Sequence, residues 1–265
     1  MTAADPVALV RALDAPFGLE RSFKIVPGTL LEDRYLISLH RSALGETAAD
    51  RLGQMASALG VPHAFGGEIV AGLADADIVH FGYERAGQYP IYKIYLEYAS
   101  RVRRAQAQNA ADPVLVYLAY KWTPDWPERR TLTRYTWLPC RTDAAIAERM
   151  RALVSPAEAP RALSCGLDLL ARAARRTDPR KLFLMEVAEP DKPRRSYDLN
   201  VYRAGLHLDD IADLVEAMAA DLAVPQPPIR ALLEGCGGLD LGHLSGGRGR
   251  DGREFVTVYY GVEAH

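Results

Sequence analysis

The stretch His80–Tyr98 reads HFGYERAGQYPIYKIYLEY. Its two halves alternate polar with apolar or aromatic residues, and the turn-rich segment RAGQY lies between them. Two alternating runs joined by a short turn are typical of a β-hairpin. The pattern predicts antiparallel strands over Ile78–Glu84 and Pro90–Tyr98.

The two faces of the second strand differ in chemistry. Side chains alternate between the faces of a strand, so Lys93, Tyr95 and Glu97 share one face. The other face is apolar and aromatic: Tyr92, Ile94, Leu96 and Tyr98. One face is therefore expected to meet a covering layer, and the other to face water or a polar interior.

Three further strands repeat this division. The polar faces hold Asp198, Asn200 and Tyr202 on one strand and Thr257 and Tyr259 on another. In Thr133–Leu138, polarity assigns Arg134 and Thr136 to the polar face, opposite Tyr135 and Trp137.

Outward from this stretch, predicted hairpins alternate with predicted helices. The other strand pairs are Arg21–Val26 with Arg34–Leu39, Val114–Trp122 with Thr131–Leu138, Leu182–Ala188 with Ser196–Tyr202, and Leu239–Ser245 with Glu254–Gly261. Apolar residues at helical spacing predict helices over Glu46–Leu59, Ala144–Leu153, Arg161–Arg175 and Leu208–Ala223. Helices that bury one stripe are expected to cover one face of the sheet.

Two architectures fit ten strands with one polar face. The favoured one is an α/β fold of a single domain, residues 1–265, with a closed ten-stranded antiparallel barrel inside a ring of helices. Closure removes the exposed edges and leaves a lumen wide enough for a cavity. The alternative is an open sheet with a solvated face. Tyr95, Tyr202 and Tyr259 on the polar faces favour the barrel, because an exposed face is served by Thr, Lys and Glu.

Composition excludes several classes of protein. Hydrophobic residues make up 49% of the 265-residue chain and the formal net charge is −2, which gives no basic surplus for nucleic acid. Cys140, Cys165 and Cys236 are widely spaced and odd in number, which disfavours a disulfide framework or a zinc site. The sequence shows no secretory signal and no membrane-spanning run. We therefore expect a cytoplasmic protein that binds neither nucleic acid nor membrane, and we expect a monomer.

The order of hairpins and helices resembles the antiparallel α/β-barrel (ABBA) prenyltransferases. His80–Tyr98, Arg195–Leu206 (RSYDLNVYRAGL) and Gly242–Gly261 (GHLSGGRGRDGREFVTVYYG) look like the cyanobactin-type branch, which prenylates ribosomally made peptides. The resemblance runs from about Ile78 to Gly261, and the first 70 or so residues fit it only loosely.

The resemblance implies roles for six residues. Glu84 matches the family's general base, while Lys93 and Arg134 match cations that bind the diphosphate. The tyrosines that shield the allylic cation correspond to Tyr95, Tyr202 and Tyr259. The chemistry asks for these types independently. A leaving diphosphate needs fixed positive charge, a carbocation needs aromatic faces, and the nucleophile needs a base.

One strand departs from the family pattern. Asp198 and Asn200 stand where fungal indole prenyltransferases have basic residues. Either Mg²⁺ supplies the missing charge, with Asp198 and Asn200 as oxygen ligands directly or through water, or other cations point inward: Lys121, Arg21 or His243. Glu97 is a further candidate for the lumen, where it could pair with Lys93.

The resemblance implies transfer of a C5 or C10 isoprenyl group from dimethylallyl or geranyl diphosphate to a side chain of a ribosomal, possibly cyclic, peptide. Two alternatives remain open at this point. The acceptor could be a small indole or phenol, or the barrel could bind a peptide or hydrophobic ligand without catalysis. The acceptor residue and the donor length are not specified by any motif.

Overall fold

The chain folds around one antiparallel sheet, seen here in a computed structural model that describes residues 4–87, 89–190 and 194–265. Within those residues the strands are β1 (Gly18–Val26), β2 (Thr29–Leu31), β3 (Arg34–His40), β4 (Ile78–Ala86), β5 (Tyr89–Glu97), β6 (Val114–Thr123), β7 (Trp126–Trp137), β8 (Phe183–Ala188), β9 (Arg195–Asn200), β10 (Leu241–Arg248) and β11 (Glu254–Ala264).

The sheet closes on itself. From β3 to β11 each strand pairs with its neighbours in the chain, and β11 then pairs along β1 from Gly18 to Ile25. The three-residue strand β2 pairs only with Lys24–Val26 at one end of β1. The remaining ten strands form the closed barrel, which confirms the predicted fold class. The predicted hairpins are all present, including the one at His80–Tyr98.

Helices cover the outside of the barrel. In the described ranges they are α1 (Pro6–Arg11), α2 (Ala48–Ala58), α3 (His63–Gly72), α4 (Ala99–Ala107), α5 (Asp143–Leu153), α6 (Pro160–Ala174), α7 (Ala212–Asp221) and α8 (Gln226–Cys236). The four predicted helices correspond to α2, α5, α6 and α7, the last preceded by a 3₁₀ turn at Leu208–Ile211. The sequence analysis did not predict α1, α3, α4 and α8. In α3 and α8, glycines and prolines interrupt the apolar spacing.

The apolar core lies between the helices and the outer face of the barrel. One cluster joins α5, α6, α7 and α8 to outward residues such as Phe23 of β1 and Leu199 of β9. A second joins α2 and α3 to Tyr92, Ile94 and Leu96. The predicted apolar face of β5 is therefore the covered one, and its polar face lines the lumen.

On β7 the predicted faces are reversed. Arg134 is exposed on the outside of the barrel, whereas Thr133 and Tyr135 line the lumen. The prediction that Arg134 points inward was wrong, because polarity alone was used to choose the inner face. In this barrel the lumen is lined with tyrosines, so an inward Tyr135 carries no penalty.

No helix among the described residues combines the length and the apolar character that crossing a bilayer requires.

Candidate active site in the barrel lumen

The lumen has two ends of opposite charge. Four strands each place one side chain at each end, four residues apart on the same face: Glu20 and Lys24 on β1, His80 and Glu84 on β4, Glu97 and Lys93 on β5, and Tyr117 and Lys121 on β6. A strand advances about 3.3 Å per residue, so the two ends lie roughly 13 Å apart. We call the end with Lys24, Glu84, Lys93 and Lys121 the basic cluster. The end with Glu20, His80, Glu97 and Tyr117 is the acidic cavity.

The basic cluster consists of cationic side chains gathered around one carboxylate: Lys24, Arg34, Lys93, Lys121 and Arg194 around Glu84. Arg34 and Lys121 form short ion pairs with Glu84, and the Nζ atom of Lys93 lies 2.8 Å from its Oε2 atom. Gly82 helps Lys93 to reach this position, because a Cβ at Gly82 would lie 3.2 Å from the Cβ of Lys93.

One carboxylate does not neutralise this cluster. Burial acts to raise the pKa of Glu84, but Arg34, Lys121 and Lys93 outweigh it and hold that pKa well below the usual value. For the lysines of the cluster, burial and the neighbouring cations act in the same direction on the pKa. Burial, together with repulsion from neighbouring cations, lowers the pKa of Lys93 well below its usual value and that of Lys24 to about 7. The cluster therefore has more basic side chains than Glu84 alone can compensate, and its lysines hold their protons less firmly than exposed lysines do.

Arg194 extends the cluster and has an unfilled donor. Its Nη1 atom donates to Glu189 at 3.2 Å, and Arg250 binds the same carboxylate. Its Nε atom is buried and has no hydrogen-bond partner in the described structure. A buried donor without an acceptor costs free energy, roughly 1–3 kcal/mol, so this position favours binding of an anion. The empty space in the cluster is about 40 Å³, enough for a few water molecules.

A belt of tyrosines separates the two ends. Tyr95, Tyr135 and Tyr259 line both the basic cluster and the acidic cavity. The ring centroids of Tyr95 and Tyr135 are 5.9 Å apart, and Tyr117 lies 5.6 Å beyond Tyr135. Aromatic rings attract cations, so this part of the lumen suits a positively charged group.

The acidic cavity has a volume of about 270 Å³, close to the lower bound of about 300 Å³ for ligand pockets. Three carboxylates and two imidazoles line it: Glu20, Glu97, Asp198, His80 and His243. The Nδ1 atom of His243 lies 2.9 Å from both oxygens of Asp198, and its Nε2 atom lies 3.5 Å from Glu20. Burial acts to lower the pKa of His243, but these two carboxylates raise it to about 10. His243 is therefore a cation at neutral pH.

A second carboxylate–imidazole pair stands on β4 and β5. The Nε2 atom of His80 lies 2.8 Å from Glu97, and its Nδ1 atom shares a 2.7 Å hydrogen bond with Ser38. The ring of Tyr117 lies 5.7 Å from that of His80. The pKa of Tyr117 is raised well above its usual value, mainly by burial and then by the negative charges of Glu97, Asp198 and Glu20. The negative charges of all three carboxylates are therefore felt at one side chain of the cavity.

Tyr202 lies at the mouth of the acidic cavity. It follows β9 in a 3₁₀ turn (Tyr202–Ala204), is 40% exposed, and donates a short hydrogen bond to Glu20. Gly242 makes room for this contact, because a Cβ there would lie 2.6 Å from the Tyr202 hydroxyl. The predicted strand over Ser196–Tyr202 ends earlier, at Asn200. The ring of Tyr202 lies 6.2 Å from that of His243, which in turn stacks on Tyr259 of the belt at 3.9 Å.

The structure brings most of the sequence-predicted residues into the lumen. Those that line it are Glu84, Lys93, Tyr95, Glu97, Asp198, Asn200, Tyr202, His243 and Tyr259. Lys121, considered as an alternative cation, also points inward, whereas Arg21 is exposed and pairs with Glu263. The positions of these residues are thus observed, whereas their roles stay predictions.

Sequence reasoning missed several lumen residues: Glu20, Lys24, Arg34, His80, Tyr117, Tyr135 and Arg194. Three of them, Glu20, Lys24 and Arg34, lie in the first part of the chain, where the resemblance was loose. His80 and Tyr117 were predictable from the sequence. Period-two alternation from Glu84 places His80 on the inner face of β4, and alternation from Lys121 places Tyr117 on the inner face of β6.

The surroundings of Asp198 do not fit a magnesium ion. Both of its carboxylate oxygens face the imidazole of His243, which is a cation. No group of three or more His, Cys, Asp or Glu side chains in the described ranges is arranged to hold a metal ion. The basic cluster holds cationic side chains that the sequence analysis did not assign, and the magnesium ion stays a prediction.

The fold has known counterparts among solved structures. The chain is similar to AnaPT from Neosartorya fischeri (12% identity, TM-score 0.55), over 91% of this chain and 77% of that one. It is similar to 6-dimethylallyl tryptophan synthase (13%, TM-score 0.57), over 92% and 80%. It is also similar to NotF in complex with brevianamide F and DMSPP (13%, TM-score 0.54), over 91% and 79%. No protein-family model and no curated protein matches the sequence.

At this level of identity the likeness concerns the fold. The closed antiparallel barrel, the surrounding helices and the coverage of nine-tenths of the chain agree with these structures. This chain therefore has the ABBA barrel fold of the prenyltransferases to which it is similar.

Proposed function

We propose that this protein is a prenyltransferase that moves a C5 or C10 isoprenyl group from an allylic diphosphate to an acceptor held in the lumen. The observation that carries the proposal is the division of the lumen into a basic cluster, a tyrosine belt and an acidic cavity. An ionising allylic diphosphate needs these three environments in this order.

The diphosphate is proposed to bind in the basic cluster. Cleavage of the C–O bond leaves its electron pair on the diphosphate, and fixed cations stabilise the charge that develops there. Arg34, Lys93 and Arg194 are supplied by three different strands or their flanks. The cluster is nearly filled by its own side chains, so the lysine chains must move aside for the donor. Their flexible stems permit this.

The tyrosine belt is proposed to hold the allylic cation. Tyr95, Tyr135 and Tyr259 lie between the two ends of the lumen, next to the place where the diphosphate would leave. Aromatic faces stabilise a cation and do not capture it as water would.

The proton acceptor is proposed to come from the acidic cavity. A general base must reach the nucleophile and have a pKa near the working pH. Glu84 was predicted for this role, but it lies among cations that hold its pKa well below the usual value. Its contacts favour a positioning role for Glu84. Glu97 or Glu20 is in reach of an acceptor in the cavity.

Two classes of acceptor remain candidates, a ribosomal peptide and a small aromatic molecule. Exposure of Tyr202 at the mouth leaves the cavity open to a side chain of a larger molecule, which supports the ribosomal peptide suggested by the sequence. The structural neighbours support a small aromatic acceptor, since they include 6-dimethylallyl tryptophan synthase and a complex with brevianamide F.

The test is a transfer assay with purified protein. Dimethylallyl and geranyl diphosphate are each offered with a pool of short linear and cyclic peptides and with free indoles and phenols, and mass spectrometry searches for a gain of one C5 or C10 unit. Parallel reactions with Mg²⁺ and with EDTA test the predicted metal. We expect transfer in both, because the basic cluster supplies the charge. Activity that vanishes with EDTA would support the magnesium prediction and contradict this expectation.

Donor binding is measured separately by calorimetry with a non-cleavable thio-analogue of dimethylallyl diphosphate. Transfer to any acceptor supports the proposal. Lack of both transfer and donor binding would overturn it and leave a non-catalytic binding barrel.

A further inference from the structure

The acidic cavity carries information about the acceptor, and the inference drawn from it rests on the proposed prenyl transfer. The cavity holds three carboxylates and two imidazoles. One negative charge therefore stays unmatched even when both imidazoles are protonated. An uncompensated buried charge is costly, so the cavity favours an occupant that brings positive charge.

The acids stand on opposing walls. Glu97 is on β5, whereas Glu20 on β1 and Asp198 on β9 both lie against His243 on β10. Around the ten-stranded barrel β5 is three strands from β1 and four strands from β9. An occupant that compensates both walls must carry hydrogen-bond donors on two sides.

The ring of Tyr117 also lines the cavity. It is packed between His80 and Tyr135, at centroid distances of 5.7 Å and 5.6 Å. Its π-face and oxygen suit a flat cation that also donates hydrogen bonds.

We propose that the acceptor is a guanidinium group, such as an arginine side chain, held between Glu97 on one wall and Glu20 on the other. A guanidinium is planar and carries five N–H donors in a rigid fork, so it can bind carboxylates on two sides while it stacks on an aromatic ring. An ammonium group is a compact charge that fits one wall, and an indole has a single N–H donor and no charge.

The proposed transfer moves the prenyl group from a diphosphate oxygen to a guanidinium nitrogen. One guanidinium N–H gives its proton to a cavity carboxylate, and the freed nitrogen lone pair forms an N–C bond to the allylic carbon. The C–O bond to the diphosphate breaks and its electron pair leaves with the diphosphate. The product is an N-prenyl guanidinium, and one proton is released in all.

The experiment compares peptides that differ at one residue. N-acetylated peptides with arginine, citrulline, lysine, tryptophan or tyrosine at the same position are each incubated with dimethylallyl diphosphate. Citrulline is the decisive control, because it has nearly the shape of arginine without its charge. We expect kcat/KM for the arginine peptide to exceed each of the others by at least about tenfold, since charge-assisted hydrogen bonds are lost.

The outcomes separate this inference from the proposed function. Preference for the tryptophan, tyrosine or lysine peptide, or equal use of citrulline, would overturn the guanidinium acceptor and keep prenyl transfer. Binding of the thio-analogue with no transfer to the arginine peptide would also overturn it, while the donor site stands. Absence of donor binding would remove both.

A variant adds a readout that a general structural role would not move. Glu97→Gln keeps the shape and removes one wall's charge, so KM for the arginine peptide should rise at least about tenfold while the Kd of the thio-analogue stays within about twofold. The matched control is Glu186→Gln, on the outer face of β8, which should change neither value. An unchanged KM in Glu97→Gln would contradict the proposal.

Discussion

The basic cluster and the acidic cavity are built by the same strands, on the same face, four residues apart, yet they solve the problem of buried charge differently. In the acidic cavity each carboxylate has an imidazole nearby, and His243 takes up a proton to match Asp198 and Glu20. In the basic cluster Glu84 alone faces three direct cationic partners.

The difference indicates which end depends more on a ligand. Histidine adjusts its charge to its partners, so the acidic cavity is partly balanced in the free protein. Lysine and arginine in the basic cluster can relieve their repulsion only by losing protons or by binding an anion. Both ends are left with an excess of charge, but that of the basic cluster is larger.

The largest expected effect is the loss of unfolding free energy when the Glu84 carboxylate is removed. Glu84→Gln leaves Arg34, Lys93 and Lys121 without their shared partner, and loss of one member of a buried ion pair costs roughly 3–5 kcal/mol of unfolding free energy. Urea unfolding followed by circular dichroism measures it.

The matched control is Glu97→Gln, whose partner His80 can exist without a charge. We expect a smaller loss there, roughly 1–2 kcal/mol. If Glu84→Gln unfolds like the unmodified protein but loses kcat, Glu84 is the general base of the sequence-based prediction and not a positioning residue.

The next largest effect concerns the donor. Lys93→Met removes one cation from the basic cluster and should weaken binding of the thio-analogue by about tenfold to a hundredfold, the equivalent of roughly 1.5–3 kcal/mol. Arg134→Met is the control, because Arg134 is exposed on the other face of the barrel. Calorimetry that shows equal losses for both variants would contradict the assignment of the lumen.

A smaller effect is expected where the two ends meet. Tyr135→Leu removes an aromatic face from the belt and should lower the single-turnover rate by about tenfold, or roughly 1.4 kcal/mol. Tyr135→Phe keeps the face and should retain most of the rate. A rate that follows the hydroxyl and not the ring would show that Tyr135 acts through its oxygen.

The smallest effect is on the pH dependence of donor binding. Lys24 has a pKa of about 7, lowered by burial and by the neighbouring cations, and only its protonated form attracts the diphosphate. Affinity should therefore be highest below pH of about 7 and fall several-fold as the pH rises through that value. In Lys24→Met this part of the decline should disappear. A decline of the same size in the variant would assign it to Lys93 or Lys121, whose pKa values are also lowered.

Alternation in the sequence predicted the inner faces of β5, β9 and β11 correctly, because each has a run of apolar residues that only a covered face can hold. It failed on β7, where Arg134 competed with Tyr135 for the inner face. The polarity of a single residue does not decide a face when the lumen itself is lined with aromatic rings. Only the packing of Tyr135 against Tyr95 shows which side is inside.

The sequence is sufficient to predict the succession of hairpins and helices, the antiparallel pairing and a part of the side chains that line the lumen, among them Lys93 and Tyr259. These depend on contacts between neighbours in the chain and on periodicity, which are local. The tertiary structure alone decided which charges meet. Arg34, Lys93 and Lys121 reach Glu84 from three strands because closure of β1 on β11 and the register of each pair bring them to one level. Register is set by the sum of packing around the whole barrel, and a shift of one residue would turn each of these side chains to the other face.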